Sequence, residues 1–144
     1  MKQLTVFVFA CLFACTQLFA QSVLGKWKTI DDVTGKTKSI VEIYEFQGKT
    51  YGKVVKLFRG PTEDQDPICD KCTDYRKNKK IIGMNVVTGL SKSGSEWNGG
   101  EITDPNNGKT YKCYITLESA DKLKVRGYIG FSMVGRTQYW YRDK

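Results

Sequence analysis

A chain of 144 residues has the length of one domain and can bury a single core. Hydrophobic residues make up 40% of the sequence and aromatic residues 12%, which excludes wholesale disorder. The formal net charge is +8, and the basic residues are spread along the chain apart from one compact run at residues 76–80. Histidine is absent, which excludes nucleophiles activated by a histidine base.

Residues 1–20 have the pattern of a secretory signal peptide. Lys2 supplies the positive start, residues 4–14 form an apolar run, and Ala20 is the small residue expected before a cleavage site. The apolar run is too short for a permanent membrane span. We therefore predict that the leader is removed and that residues 21–144 form the mature domain.

A second interpretation of the leader is a lipobox at residues 12–15, in which Cys15 would become a lipid anchor. The apolar segment continues as far as Phe19, which fits a lipobox poorly. Both interpretations predict an exported protein, periplasmic or secreted. Export makes nucleic acid an unexpected partner.

The mature chain predicts an all-β fold. Near its end, Leu123 and Val125 alternate with Lys124 and Arg126, and a strand places such alternating sets on opposite faces. Similar patterns separated by glycine-rich turns predict eight strands, at residues 24–31, 39–46, 50–58, 81–90, 96–104, 109–118, 123–129 and 134–142. Eight antiparallel strands in sequence can close into a single up-and-down barrel. The interior of such a barrel is either filled by side chains or holds one small ligand.

Four residues at the two ends of the domain are candidates for closing the barrel. Gly25 and Trp27 lie near its start, and Trp140 and Arg142 lie at its end. A guanidinium stacked on an indole contributes about 0.5–2 kcal/mol and would hold the first and last strands together. The pattern is similar to the G-x-W motif and final-strand arginine of the lipocalin superfamily.

Six longer motifs span nearly all of the mature chain. They read G-K-W-K-T, E-I-Y-E-F-x-G-K-T-Y-G-K-V-V-K-L, C-D-K-C, I-I-G-M, W-x-G-G-E-I-T-D-P-x-N-G-K-T-Y and L-K-V-R-G-Y-I-G-F-S-x-x-G-R-T-Q-x-W-Y-R. Together they resemble an uncharacterised bacterial envelope family, domain of unknown function 2147. The resemblance implies an exported, lipocalin-like β-barrel without an established activity, so it assigns no catalytic residue.

Residues 59–80 form the one long irregular stretch, which is longer than an ordinary connection between strands. We interpret it as a lid, a binding loop or a loop fastened by a local cross-link. We also predict a short helix that begins after Asp66–Pro67 and runs through the cysteines. Its clustered carboxylates match no calcium-binding loop, so a solvated loop is the favoured interpretation and no metal site is predicted.

The C-x-x-C motif at residues 69–72 is compatible with a structural disulfide, redox exchange or a metal site. A structural zinc site needs four ligands and redox catalysis needs a thioredoxin-like frame, and both are missing, which favours a structural bridge. Chain entropy alone favours pairing Cys72 with Cys113, at about 4 kcal/mol against about 2 kcal/mol for Cys69–Cys72. Proximity during folding and the family pattern favour Cys69–Cys72 with Cys113 free, and this is our prediction.

The aromatic residues either fill the barrel or line a ligand cavity. The candidates for lining are Tyr44, Phe46, Tyr51, Trp97 and Tyr111. The leading hypothesis is a non-enzymatic exported barrel, without catalytic residues or cofactor, that binds a small apolar or amphipathic molecule. One alternative is a structural or interaction module of the cell envelope, whose basic run at residues 76–80 contacts an anionic membrane or polymer. The other is a thiol-redox protein that uses its C-x-x-C motif.

Overall fold

The computed structural model describes residues 21–144, so the predicted leader and the alternative anchor Cys15 lie outside the described residues. The described chain forms eight strands: β1 (Gly25–Ile30), β2 (Thr37–Phe46), β3 (Lys49–Leu57), β4 (Asn85–Ser93), β5 (Glu96–Asp104), β6 (Lys109–Ser119), β7 (Lys122–Tyr128) and β8 (Gly135–Arg142). Each strand pairs antiparallel with the next, and β8 pairs with β1, which closes the barrel. The predicted all-β, up-and-down barrel is confirmed. Within residues 21–144 no helix is long and apolar enough to cross a membrane.

The two ends of the barrel differ because an up-and-down chain places alternate turns at opposite ends. The start of β1, the end of β8 and the β2–β3, β4–β5 and β6–β7 turns lie at one end, which we call the closed end. The other turns and residues 58–84 lie at the opposite end, the open end. The closed end is filled by fully buried side chains: Trp27, Ile43, Leu90, Ile115 and Leu123.

The seam between β1 and β8 brings the predicted closure residues together. Trp27 is the register partner of Arg142, whose guanidinium lies 4.2 Å from the centroid of the indole ring. Gly25 has a φ of 120°, and a Cβ there would lie 3.0 Å from the Arg142 guanidinium, so both its conformation and its lack of a side chain suit this position. Trp140 is buried and faces the interior.

The start of β4 differs from the prediction, which placed a strand at residues 81–90. Ile81 is buried, but the chain turns immediately after it, because Met84 N–H donates to the Ile81 carbonyl at 3.0 Å. Gly83 follows with a φ of 92°, outside the extended range of regular strand residues, and its N–H donates to the Val54 carbonyl at 2.6 Å. The strand therefore begins at Asn85, after a short apolar turn that packs into the core.

The short helix predicted through the cysteines is wrong. Residues 68–80 fold back on themselves in a hairpin-like loop, in which Cys69 N–H donates to the Lys79 carbonyl and Asn78 N–H donates to the Cys69 carbonyl, both at 2.8 Å. These bonds between the two arms of the loop use backbone groups that a helix would need for its own i to i+4 hydrogen bonds. The loop is thus fixed locally and carries no helix.

Candidate ligand-binding cavity

The open half of the barrel contains a cavity of about 900 Å³. Strand alternation directs small aliphatic side chains into it from most of the wall, since every second residue faces inward. The principal apolar lining residues are Val41, Val54, Leu57, Val86, Ile102, Val125 and Trp140. Most of them are buried, whereas the exposed lining residues lie towards the open end, so the barrel wall surrounds the inner part of the cavity and its mouth opens to solvent. Its volume lies at the upper end of the range of about 300–1,000 Å³ found for small-molecule sites.

A few polar groups are built into this apolar wall. The hydroxyl oxygens of Thr29 and Ser39 lie 2.6 Å apart, and both residues are buried. Such a pair satisfies one donor, and the second hydroxyl hydrogen remains available to a ligand. Gln138 lies nearby on the wall, where its carbonyl oxygen accepts from Trp140 Nε1 at 3.5 Å. The interior therefore offers hydrogen bonds but no buried charge of its own from these residues.

Charged groups are confined to the rim of the cavity. Lys36, Lys38 and Arg59 lie there and are exposed or nearly so. Asp31 also lies on the rim, where its carboxylate accepts from the backbone N–H groups of the following turn. The Thr34 backbone N–H is the largest cause of the lowered pKa of Asp31, so the carboxylate is held ionised in its capping role. A ligand therefore meets charge at the mouth and an apolar wall inside.

The five predicted lining residues are distributed over three parts of the barrel. Tyr111 lines the cavity. Trp97 is buried at the closed end, beyond the cavity floor. Tyr44, Phe46 and Tyr51 lie on the outer surface, where Tyr44 and Tyr51 stack with their ring centroids 5.8 Å apart. The prediction that Trp97, Tyr44, Phe46 and Tyr51 line the cavity is wrong.

The reason is register. Val41 and Ile43 on β2 are buried in the interior, so period two places Tyr44 and Phe46 outside. On β3, Thr50 and Val54 face inward, which places Tyr51 outside. The same alternation could have identified the small aliphatic lining residues. The prediction instead chose lining residues by their aromatic side chains.

The cysteines form the predicted pair. Cys69 and Cys72 are joined by a disulfide with a Cα–Cα distance of 5.4 Å, and Cys113 is free and buried. Both bridged residues are at most 1% exposed, which favours a structural bridge over exchange with solvent thiols. Burial raises the pKa of the Cys113 thiol to about 12, so that thiol is unreactive at neutral pH.

The basic run at residues 76–80 is partly tied into the loop. Arg76 is only 3% exposed, and its guanidinium donates to the Asn85 carbonyl at 3.0 Å while pairing with Asp74. Lys80 Nζ lies 2.6 Å from the Asp66 carboxylate. Arg76 therefore fastens the loop to the start of β4, and it is not available to an anionic surface.

Comparison with known proteins assigns the chain to a family. A family model described as an uncharacterized protein conserved in bacteria, DUF2147, matches residues 25–142, which includes all eight strands. The chain belongs to the DUF2147 family. No curated protein matches this DUF2147 chain.

One solved structure is similar to the DUF2147 barrel. It is protein HP1028 from the human pathogen Helicobacter pylori, described as belonging to the lipocalin family. The two structures align with a TM-score of 0.73 over 85% of this chain and 84% of the other, at 21% sequence identity. At that identity the likeness shows a shared lipocalin-like fold.

Proposed function

We propose that this DUF2147 protein binds a small apolar or amphipathic molecule in the cavity of its open end. The observation that supports the proposal is a space of about 900 Å³ that opens to solvent at its rim and has buried aliphatic side chains on its inner wall. Water that enters this cavity meets few hydrogen-bonding partners along the aliphatic part of its wall, so its displacement by an apolar group is favourable. Burial of the apolar surface of a ligand against Val54, Leu57 and Val125 would supply the affinity.

The distribution of polar groups indicates how such a ligand would lie. A charged ligand group buried beside Val125 would lose its hydration without a charged partner, at a cost of several kcal/mol by order of magnitude. A charged or strongly polar group is therefore expected at the rim, near Lys36 and Lys38. The apolar part would extend inward to Trp140, passing the hydroxyl pair of Thr29 and Ser39.

We further propose that the protein acts outside the cytoplasm. The buried Cys69–Cys72 bridge supports this, because disulfides form and persist in oxidising compartments. Intact mass of the protein recovered from its host tests the proposal. The expected result is the mass of a chain that begins near residue 21 and has the disulfide intact. The mass of an unprocessed, reduced chain would contradict the proposal.

Two measurements test ligand binding. Native mass spectrometry of protein purified from its own host is expected to show a co-purifying small molecule. A titration with the amphipathic fluorophore anilinonaphthalene sulfonate then reports on the cavity directly. Leu57→Trp adds an indole ring at a lining position, and we expect it to weaken probe binding at least about tenfold, because a clash between added bulk and a bound molecule typically costs about 1–3 kcal/mol.

Phe46→Trp is the matched control, since Phe46 is exposed on the outer surface near the closed end. It adds the same ring system outside the cavity and is expected to leave the affinity unchanged. Equal probe affinity in wild type and Leu57→Trp, with both chains folded by circular dichroism, would show that the probe does not occupy the cavity and would count against the proposal.

A further inference from the structure

Two loops at the open end present apolar side chains to solvent. The β7–β8 loop carries Phe131 and Met133, which are 81% and 88% exposed, and the β1–β2 turn carries Val33, which is 94% exposed. Ile129 and Val134, at the base of the β7–β8 loop, are also exposed. We call these five residues the apolar tip. Exposed apolar side chains are unremarkable singly, but a cluster at one end of a small domain marks an interaction site.

The longer loop of the apolar tip is held in shape by one arginine. Arg126 Nε donates to the Ser132 carbonyl at 2.8 Å, and its Nη2 donates to the Met133 carbonyl at 3.2 Å. The backbone adds a bond from Val134 N–H to the Phe131 carbonyl at 2.9 Å. These bonds fix the loop so that Phe131 and Met133 project outward, and little ordering entropy remains to be lost when they are covered.

The two loops of the apolar tip are joined to each other and to the cavity. Arg136 at the start of β8 forms an ion pair with Asp32 in the β1–β2 turn, and Gln138 Nε2 lies 3.4 Å from the same carboxylate. Ile129 and Val134 line the cavity as well as belonging to the apolar tip. Ile129 and Val134 therefore connect the exposed β7–β8 loop to the cavity wall.

The charge around the apolar tip favours an anionic surface. Segments 31–38 and 126–136 contain four basic residues and two carboxylates. Both carboxylates are occupied, since Asp31 caps its own turn and Asp32 is paired with Arg136. Lys36 and Lys38 are left as solvent-facing cations beside the apolar side chains.

From this geometry we propose that the open end docks on a bilayer containing anionic lipid, with the apolar tip inserted at the headgroup level. Apolar side chains flanked by lysine and arginine are the pattern of peripheral membrane binding, in which insertion and electrostatic attraction add. Docking would place the mouth of the cavity against the lipid phase, so that an apolar ligand could pass between bilayer and barrel without crossing water. The exchange rests on the proposed ligand binding, whereas docking does not.

The test is flotation of residues 21–144, which contain all eight strands and lack the apolar leader. The vesicles are phosphatidylcholine, with and without phosphatidylglycerol. We expect binding to the anionic vesicles that weakens with added salt. Phe131→Ser combined with Met133→Ser is expected to weaken the partition at least about tenfold, the equivalent of losing roughly one buried apolar side chain.

Phe46→Ser is the matched control, because it removes an exposed phenyl ring near the closed end and should leave vesicle binding unchanged. Wild type that fails to float with anionic vesicles would overturn the proposal. The same holds for a double variant that floats like wild type, for a control that loses binding equally, or for a concentration-dependent dimer that the double variant abolishes.

Probe titration separates this proposal from the proposed function. Phe131 and Met133 do not line the cavity, so the double variant should bind anilinonaphthalene sulfonate as wild type does in the absence of vesicles. Vesicle binding without probe binding would leave docking standing and remove the ligand-binding function. Probe binding without vesicle binding would do the reverse.

Discussion

Replacing Arg142 by methionine should destabilise the barrel, because this one guanidinium connects three parts of the chain at the closed end. Its Nη1 and Nη2 donate to the carbonyls of Leu24 and Ser22 at 2.9 and 2.8 Å, and its Nε donates to the Ala120 carbonyl at 2.8 Å. Its plane covers the Trp27 ring at 4.2 Å. Methionine retains much of the apolar stem and removes these four contacts together with an ion pair from Nε to the Asp121 carboxylate at 3.7 Å.

The expected loss can be estimated from these contacts. The guanidinium–indole contact contributes about 0.5–2 kcal/mol. Each hydrogen bond contributes a net amount of about 0.5–1.5 kcal/mol, and the lower half of that range applies because the freed carbonyls of Arg142's partners can turn to water at this exposed site. The free energy of unfolding should therefore fall by about 2–5 kcal/mol. For a domain of this size that corresponds to a melting temperature lower by roughly 10 °C or more.

Urea unfolding of residues 21–144, followed by far-ultraviolet circular dichroism, measures the change. Arg142→Lys should lie between wild type and Arg142→Met, since an ammonium keeps the charge but lacks the planar fork. Lys144→Met is the matched control. Lys144 is an exposed cation two residues further on, paired only with Asp121 at 3.1 Å, so its loss should cost less than about 0.5 kcal/mol.

A stability of Arg142→Met within about 0.5 kcal/mol of wild type, the range of ordinary surface substitutions, would refute this account of the seam. So would equal losses in the Arg142 and Lys144 variants. Either outcome would mean that strand pairing alone holds β1 against β8.

Two further predictions concern Gly108 and Cys113. In urea unfolding, Gly108→Ala should lower the free energy of unfolding by at least about 2 kcal/mol more than Gly35→Ala does. Both glycines have φ near +70°, but a Cβ at position 108 would overlap the Lys71 carbonyl, whereas a Cβ at position 35 would face open space. Equal losses in the two variants would contradict the packing argument. Burial favours the neutral thiol and raises the pKa of Cys113 from 9.0 to about 12. The contribution of this thiol to the stability of the folded state is therefore fully present below pH 9 and is lost as the pH rises towards 12. Between pH 7 and pH 10 the free energy of unfolding of the wild type should therefore fall by about 1.4 kcal/mol more than that of Cys113→Ala. Curves of unfolding free energy against pH that run parallel for the two proteins would contradict this.

Much of the fold could be predicted because strands leave a local signal. The fifth strand is predicted at residues 96–104, where β5 lies, and the glycine pair Gly99–Gly100 within it coincides with a register shift in the β5–β6 pairing. A Cβ at Gly100 would overlap the Thr88 carbonyl, which is the close backbone approach that a glycine inside a strand indicates.

The errors have a common physical origin, since each depended on distant contacts. The apolar pair Ile81–Ile82 suggested a strand, but it lies in a turn in which Ile81 is buried and Ile82 is exposed. Tyr44 and Tyr51 suggested a ligand-binding surface, but they stack on each other outside the barrel. Local composition reports that a residue is apolar, and it does not report which face or which partner the residue will have.

The sequence alone determined the strand pattern, because alternation and turn chemistry are properties of neighbouring residues. The closure of the barrel and the Cys69–Cys72 pairing are predicted with the help of the family resemblance, and the structure confirms both. Only the tertiary structure decided that the barrel is solid at one end and hollow at the other. Only it placed the apolar tip at the mouth of the cavity. Empty space depends on side-chain volumes contributed by all eight strands together, and no local stretch of the chain encodes their sum.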